Sequence, residues 1–385
     1  MIKQYTEQDL LRVAKRFHNK KRKYLLVNPL QGKHMPVSPR EALTMMTTLG
    51  EKVRKSHPDA RLVIGFAETA TAIGCVMAKT LAPDCMYVHT TREKVGGVAD
   101  WIEFKEEHSH AVEQRLAADD LAAWLDRSPT VVLVDDEIST GRTILNLVAD
   151  LREAYPQIRQ KQIIATSILN RVAPENERQL AQEGVSCEYL LKLSEGGFTE
   201  QVAPLAVAEA APARPAKVRL DRLGQLEADY PDPRLGTPIG VYTACCAGIA
   251  DAFTEQFLQR LPEGGTVLVL GTEECMYPAL ALGARLEKSG RFRRVVSQST
   301  TRSPIGVLDQ PDYPIRSGTK CHSFYDAERV TYIYDLAAYD AVVIVSDAVH
   351  PVTVGVEDLI GALPRHGAVY LLQGDGRIWE CAADE

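Results

Sequence analysis

The chain has 385 residues, 45% apolar and 25% charged, enough to bury two cores and too apolar for a largely disordered chain. Its 44 Lys and Arg against 51 Asp and Glu give a formal net charge of −7. That makes the chain a poor candidate for direct nucleic-acid binding, which needs a broad basic face, but leaves room for a phosphorylated small molecule, which a few local donors can hold. No apolar run reaches the roughly 18 residues of a membrane span, and Met1–Lys20 has no signal-peptide core, so no membrane partner is expected. The eight scattered cysteines lack CxxC spacing; they suit a reducing, cytoplasmic setting and speak against structural zinc.

In chain order, short apolar runs predict strands at Tyr24–Val27, Leu62–Phe66, Cys85–His89, Thr130–Val134, Gln162–Leu169 and Cys187–Leu193. Between them, Ile73, Met77 and Leu81 share one helical face, as do Ile144, Val148 and Leu151. Fully apolar strands alternating with such helices predict a parallel α/β sheet, with ligands at the carboxyl ends of its strands. Residues 203–218 are rich in Ala and Pro and are expected to be an extended linker. The expected domains are therefore residues 1–202 and 219–385. The second repeats the pattern, with strands at Thr266–Leu270, Val295–Gln298, Ala341–Val345 and Val369–Gln373.

The strongest chemical signal follows Thr130–Val134. Two adjacent carboxylates, Asp135 and Asp136, precede Ser139-Thr140-Gly141-Arg142-Thr143 and an amphipathic helix. Hydroxyls, backbone N–H groups and a flexible Gly at a helix N-terminus make a phosphate cradle. Carboxylates at the strand end accept hydrogen bonds from vicinal hydroxyls or hold a Mg²⁺-bound sugar. Together they suit a ribose 5-phosphate. The competing reading is a capped helix after a buried strand.

The run Asp135-Asp136-Glu137-Ile138-Ser139-Thr140-Gly141-Arg142-Thr143 resembles the phosphoribosyl-pyrophosphate (PRPP) signature of type I phosphoribosyltransferases. The resemblance implies that Asp135 and Asp136 bind the ribose hydroxyls, with Mg²⁺ alongside, and that Ser139, Thr140, Gly141 and Thr143 hold the 5′-phosphate. Arg142 stands where the family often has Gly. Ala67-Glu68-Thr69-Ala70-Thr71 resembles the pyrophosphate loop, with backbone N–H donors expected from Ala67 to Thr71. Arg92 after the third strand is the candidate pyrophosphate contact, against a plain surface turn. Val95–Arg115 resembles the catalytic hood of orotate-type members, with Lys105 and His108 over the leaving group; His108 and His110 read otherwise as a metal pair or as surface residues. Asn28–His34 is a candidate cover for the acceptor site.

Ser299-Thr300-Thr301-Arg302-Ser303-Pro304, with Asp232–Gly236, resembles the TRSP domain, found behind phosphoribosyltransferase domains in bacterial tellurite-resistance and stress loci. The halves also align on their strand ends. Val63–Glu68 matches Val269–Glu274, His89–Glu93 matches Ser299–Ser303, and Val131–Asp136 matches Val342–Asp347. The second domain is thus expected to be a divergent phosphoribosyltransferase-like repeat, with a site at Glu274, Thr301, Arg302, Ser303 and Asp347 and a lost Ser-Thr-Gly loop. Cys275 with His322 and Asp347 reads either as a cysteine triad or as a small core residue with unrelated neighbours.

No GxxxxGK[ST], GxSxG or HExxH pattern supports an ATPase, serine hydrolase or zinc protease. The expected function is Mg²⁺-dependent transfer of phosphoribose from PRPP to a nucleobase-like acceptor with release of pyrophosphate, by a homodimer. The alternative is a regulatory protein that binds PRPP or a nucleotide without turnover.

Overall fold

Thr130–Val134 becomes the centre of a six-stranded sheet in the computed structural model, which describes residues 3–17, 19, 22–93, 95–104, 114–194, 196–228, 230–364 and 366–383. The residues divide into two compact units. One comprises Met1–Leu10, Thr44–Gly196 and Pro231–Ala244; the other comprises Leu11–Leu43, Gly197–Tyr230 and Cys245–Glu385.

In the first unit, β1 (Ala60–Gly65), β2 (Met86–His89), β3 (Thr130–Ile138), β4 (Gln162–Asn170) and β5 (Val185–Lys192) are all parallel, in the order β2-β1-β3-β4-β5. Thr237–Pro238 adds a short antiparallel edge to β2. Leu62, Ile64 and Leu133 pack with Ile144, Leu147 and Leu151 of helix α2 (Arg142–Ala154). Helix α1 (Thr71–Leu81) is buried on nearly every side, which explains its run of Ala, Gly and Cys. A Cβ on Gly74 would lie 3.1 Å from the Cα of Gly65, so only glycine lets α1 approach β1 this closely. The chain leaves β1 for β2 on one side and β3 for β4 on the other. The sheet therefore has its switch point between the carboxyl ends of β1 and β3, where open α/β sheets bind ligands.

The second unit has β6 (Val218–Gln225), β7 (Thr266–Gly271), β8 (Arg294–Ser299), β9 (Tyr339–Val345), β10 (His366–Leu372) and β11 (Arg377–Ala383), in the order β6-β11-β10-β9-β7-β8. The strands β8, β7, β9 and β10 are parallel; β11 and β6 are antiparallel additions. Val267, Val269 and Val343 face one core with Leu282 and Leu286 of α3 (Tyr277–Lys288). Leu268, Leu270 and Ile344 face the other core with Leu359 and Ile360 of α4 (Thr353–Ala362). Burial of both faces is why these strands read as unbroken apolar runs.

Several segments are placed differently from the linear reading. Tyr24–Val27 is no part of the first sheet: it pairs with Arg12–Lys15, and both belong to the second unit. Residues 203–218 also lie within the second unit, where Ala211–Pro212 joins the strand Gly318–His322 and the N–H of Ala216 donates to Glu357. Proline there removes donors, but the intervening alanines supply them. Asp232–Gly236 lies in the first unit, where a Cβ on Gly236 (φ +80°) would strike the Trp124 ring.

The strand registers of the two sheets agree. Gly65 stands opposite His89 and Val134; Gly271 stands opposite Ser299 and Val345. The N–H of Phe66 donates to Val134 at 2.8 Å, and that of Thr272 donates to Val345 at 3.2 Å. Thr90 Oγ1 accepts from the N–H of Ala67 at 2.8 Å; Thr300 Oγ1 accepts from the N–H of Glu273 at 2.9 Å. Thr91 exchanges backbone bonds with Arg115, and Thr301 with Tyr332. Each partner lies on an antiparallel hairpin, Trp101–Phe104 with Gln114–Ala117 or Gly318–His322 with Val330–Tyr334. The second α/β domain thus repeats the core topology of the first.

Candidate active site and its counterpart in the second unit

At the first switch point, β1 ends at Gly65 beside Val134, whereas β3 runs on to Ile138, paired only with β4. The edge of Asp135–Ile138 left open by β1 faces the crevice. Asp135 and Asp136 are half-buried there, and Asp135 Oδ1 accepts from the N–H of Asp136 at 2.9 Å. Glu137 is turned to Arg171, with Oε1 3.5 Å from Nε, so it braces the strand end. Gly141 takes φ +80° at the start of α2, where a Cβ would come within 2.8 Å of Leu180. Thr140 Oγ1 accepts from the N–H of Arg142 at 3.3 Å, and Arg142 is exposed. Ser139, Thr140 and Thr143 remain partly accessible around this helix N-terminus, an arrangement that suits an anion.

Across the crevice, Phe66–Ala70 leads from β1 into α1. Two of the donors expected from Ala67–Thr71 are used internally: Ala67 N–H by Thr90 and Ala70 N–H by Phe66. Gln114 ties this loop down, accepting from Thr90 Oγ1 at 2.7 Å and donating to the Ala67 carbonyl at 2.6 Å. Glu68 and Thr71 are buried and Thr69 is half-buried. Arg92 is exposed on the loop after β2. Lys105, His108 and His110 lie outside the described residues. Asn28–His34, the candidate cover for the acceptor site, belongs to the second unit.

Among the described residues, no three His, Cys, Asp or Glu side chains gather to hold a metal. Two adjacent half-buried carboxylates nevertheless suit Mg²⁺ that arrives on phosphate oxygens, because that ion keeps its waters and needs only one or two protein carboxylates.

The second switch point carries a different set. Glu273, 1% exposed and at φ +46°, has its carboxylate held by Arg302 Nε at 2.7 Å, by Arg329 at 3.4 Å and by the Ser323 hydroxyl. Lys33, fully buried, donates to the Glu273 carbonyl at 2.7 Å. Glu274 lies 3.8 Å from Arg302. Thr301 Oγ1 accepts from the N–H of Ser303 at 3.2 Å. Asp347 accepts from the Tyr325 hydroxyl, which also lies 2.7 Å from Thr272 Oγ1. Glu274, Arg302 and Asp347 thus reach one strand-end region. Sequence reasoning named Lys33 only within Asn28–His34, as a cover for the acceptor site, and missed its bond to Glu273 along with Glu273, Ser323, Tyr325 and Arg329. Glu273 was visible as the neighbour of Glu274.

The cysteine triad is not assembled. His322 Nδ1 pairs with Asp358 at 2.6 Å, and Asp347 is engaged by Tyr325. Cys275 is buried, lining a cavity.

Two adjacent carboxylates at a strand end and a hydroxyl-rich loop at a helix N-terminus thus meet at the switch point of a parallel α/β sheet. Residues 10–194 match the family model described as Phosphoribosyl transferase. Residues 243–363 match the model described as the TRSP domain C-terminal to it. The chain therefore carries a phosphoribosyltransferase-family region followed by a TRSP domain. Its structure is similar to the APRTase from Giardia lamblia complexed with 9-deazaadenine (16% identity, TM-score 0.37, covering 48% of this chain and 95% of that one). It is also similar to the orotate phosphoribosyltransferase from Aeropyrum pernix (17%, 0.32, 52% and 96%) and to the adenine phosphoribosyltransferase from Leishmania tarentolae (20%, 0.34, 49% and 85%). No curated protein sequence matches the chain.

Proposed function

We propose that the first unit transfers phosphoribose from PRPP to a nucleobase-like acceptor, in the stress and tellurite-resistance setting that the domain order implies. The reading rests on one juxtaposition: Asp135, Asp136 and the 139–143 loop face the Phe66–Thr71 loop across the switch point. Asp135 and Asp136 accept hydrogen bonds from the ribose hydroxyls. Ser139, Thr140, Thr143 and the backbone around Gly141 hold the 5′-phosphate, with Arg142 as a further cation. The acceptor nitrogen forms its bond to the anomeric carbon as the bond to pyrophosphate breaks, and the electron pair leaves with pyrophosphate. Positive charge develops on the ribose, so the work of the protein is to orient the diol and stabilise the leaving anion. Arg92, Lys105 and His108 are assigned to that anion. Bound Mg²⁺ supplies charge neutralisation of the pyrophosphate, with Asp135 and Asp136 as its protein carboxylates.

The test is calorimetric titration with PRPP and Mg²⁺, followed by a screen of bases for pyrophosphate release. Saturable binding lost in Asp135→Asn/Asp136→Asn, with release from one acceptor, is expected. Binding without release from any base would replace the enzyme reading with the regulatory one. Absence of binding by folded protein would end both.

A further inference from the structure

The loop Ala67–Thr71 is held at both ends by buried side chains at the sheet edge. At one end, Gln114 donates to the Ala67 carbonyl at 2.6 Å and accepts from Thr90 Oγ1 at 2.7 Å. At the other, the Tyr87 hydroxyl donates to the Thr71 carbonyl at 2.5 Å. Tyr87 lies on β2, the last of the parallel strands on that side, and Gln114 begins the hairpin strand Gln114–Ala117. Whatever packs behind these two residues therefore sets the loop.

That place is taken by a segment remote in sequence. Residues 231–244 follow the phosphoribosyltransferase-family region, yet they belong to the first unit. Thr237 and Pro238 pair antiparallel with Tyr87 and Met86. The N–H groups of Ile239 and Gly240 donate to the carbonyls of Cys85 and Pro83 at 2.9 and 3.1 Å. Backbone groups that β2 would otherwise present as an open edge are thereby covered.

Because this pairing is antiparallel, the chain before Thr237 runs toward the carboxyl end of β2. There the turn Pro233–Leu235 packs on β2 and on the strand Gln114–Ala117. Asp232 Oδ1 shapes the turn, accepting from the N–H of Arg234 at 2.9 Å and from its guanidinium at 3.2 Å. Arg234 is only 6% exposed, and a buried cation is retained only where such partners hold it. On the other side of Thr237, the Tyr242 ring packs on Tyr87 with centroids 6.5 Å apart. One short segment thus backs both supports of the loop.

We propose that this segment is a working part of the first unit's site, with Tyr242 and Arg234 as positioning residues that hold the Ala67–Thr71 loop, through Tyr87 and the strand bearing Gln114, in the shape that receives pyrophosphate. The inference rests on the proposed pyrophosphate role of that loop. The ribose and 5′-phosphate are assigned to a different element, Asp135–Thr143, so the two halves of PRPP report on the segment separately.

The test titrates the full chain calorimetrically with inorganic pyrophosphate and Mg²⁺, and separately with ribose 5-phosphate. Tyr242→Ala should weaken pyrophosphate about tenfold, the scale of a lost aromatic contact, and leave ribose 5-phosphate unchanged. Tyr242→Phe keeps the ring and should bind both ligands like wild type. Arg234→Ala should show the same split, and it carries the test if Tyr242→Ala does not fold. A general loss of structure would weaken both ligands together. Unchanged pyrophosphate affinity in the folded variants, or equal weakening of both ligands, would overturn the proposal while wild-type binding keeps the first-unit reading intact. Wild type that binds neither ligand, or ribose 5-phosphate alone, fails that reading of the loop instead, and the proposal falls with it.

Discussion

Arg302 Nε donates to Glu273 Oε2 at 2.7 Å, and this pair is where the two halves of the chain part company. In the first unit the same register holds Arg92 on an exposed loop and an alanine, not a carboxylate, at position 67. In the second unit the anion is built in.

Glu273→Ala removes a carboxylate shared by Arg302, Arg329 and Ser323. Breaking one side of a buried ion pair costs about 3–5 kcal/mol. Urea denaturation should show a loss of that size, and inorganic pyrophosphate should restore part of it in the variant while leaving wild type unmoved. Equal pyrophosphate response in both proteins would refute the built-in-anion account.

Thr90→Val deletes the acceptor for Ala67 N–H and the donor to Gln114 at a buried position. An orphaned buried donor costs about 1–3 kcal/mol. Stability should fall by that amount, and pyrophosphate release should slow because the Phe66–Thr71 loop loses its anchor. Unchanged kinetics with reduced stability would remove this loop from the reaction.

Gly141→Ala places a Cβ at φ +80° and within 2.8 Å of Leu180. The left-handed conformation alone costs about 1–2 kcal/mol for a residue with a side chain. Both the denaturation midpoint and PRPP affinity should drop; a variant as stable as wild type would contradict the loop geometry.

Burial pushes the thiols of Cys85, Cys321 and Cys381 up to about 12, and that of Cys187 to about 11. An unfolded cysteine titrates near about 8.5. Below that pH both states keep the proton and stability is unaffected. As pH rises from there toward about 12, the unfolded state ionises first and the native state loses relative stability. At pH 8 these four thiols should resist a small disulfide reagent in the native chain and react after urea unfolding. Rapid native labelling of Cys321, followed by peptide mapping, would contradict its burial.

Much of this protein was legible in the sequence because the signals are local. Apolar runs mark strands buried on two faces, and the registers of Gly65 with Val134 and Gly271 with Val345 follow the alignment of the two halves. Asp135–Thr143 carries its chemistry within one strand–loop–helix unit, where the backbone alone brings the residues together. Only tertiary structure could decide which edges pair and which charges meet. Lys33 reaches Glu273 across 240 positions of sequence, and Asp358 rather than Asp347 holds His322. Tyr24–Val27 and residues 203–218 join the second unit because their backbone donors and acceptors find partners there. Spacing along a chain records periodicity and turn chemistry, whereas a buried carboxylate is placed by whichever cations the packed sheet presents to it.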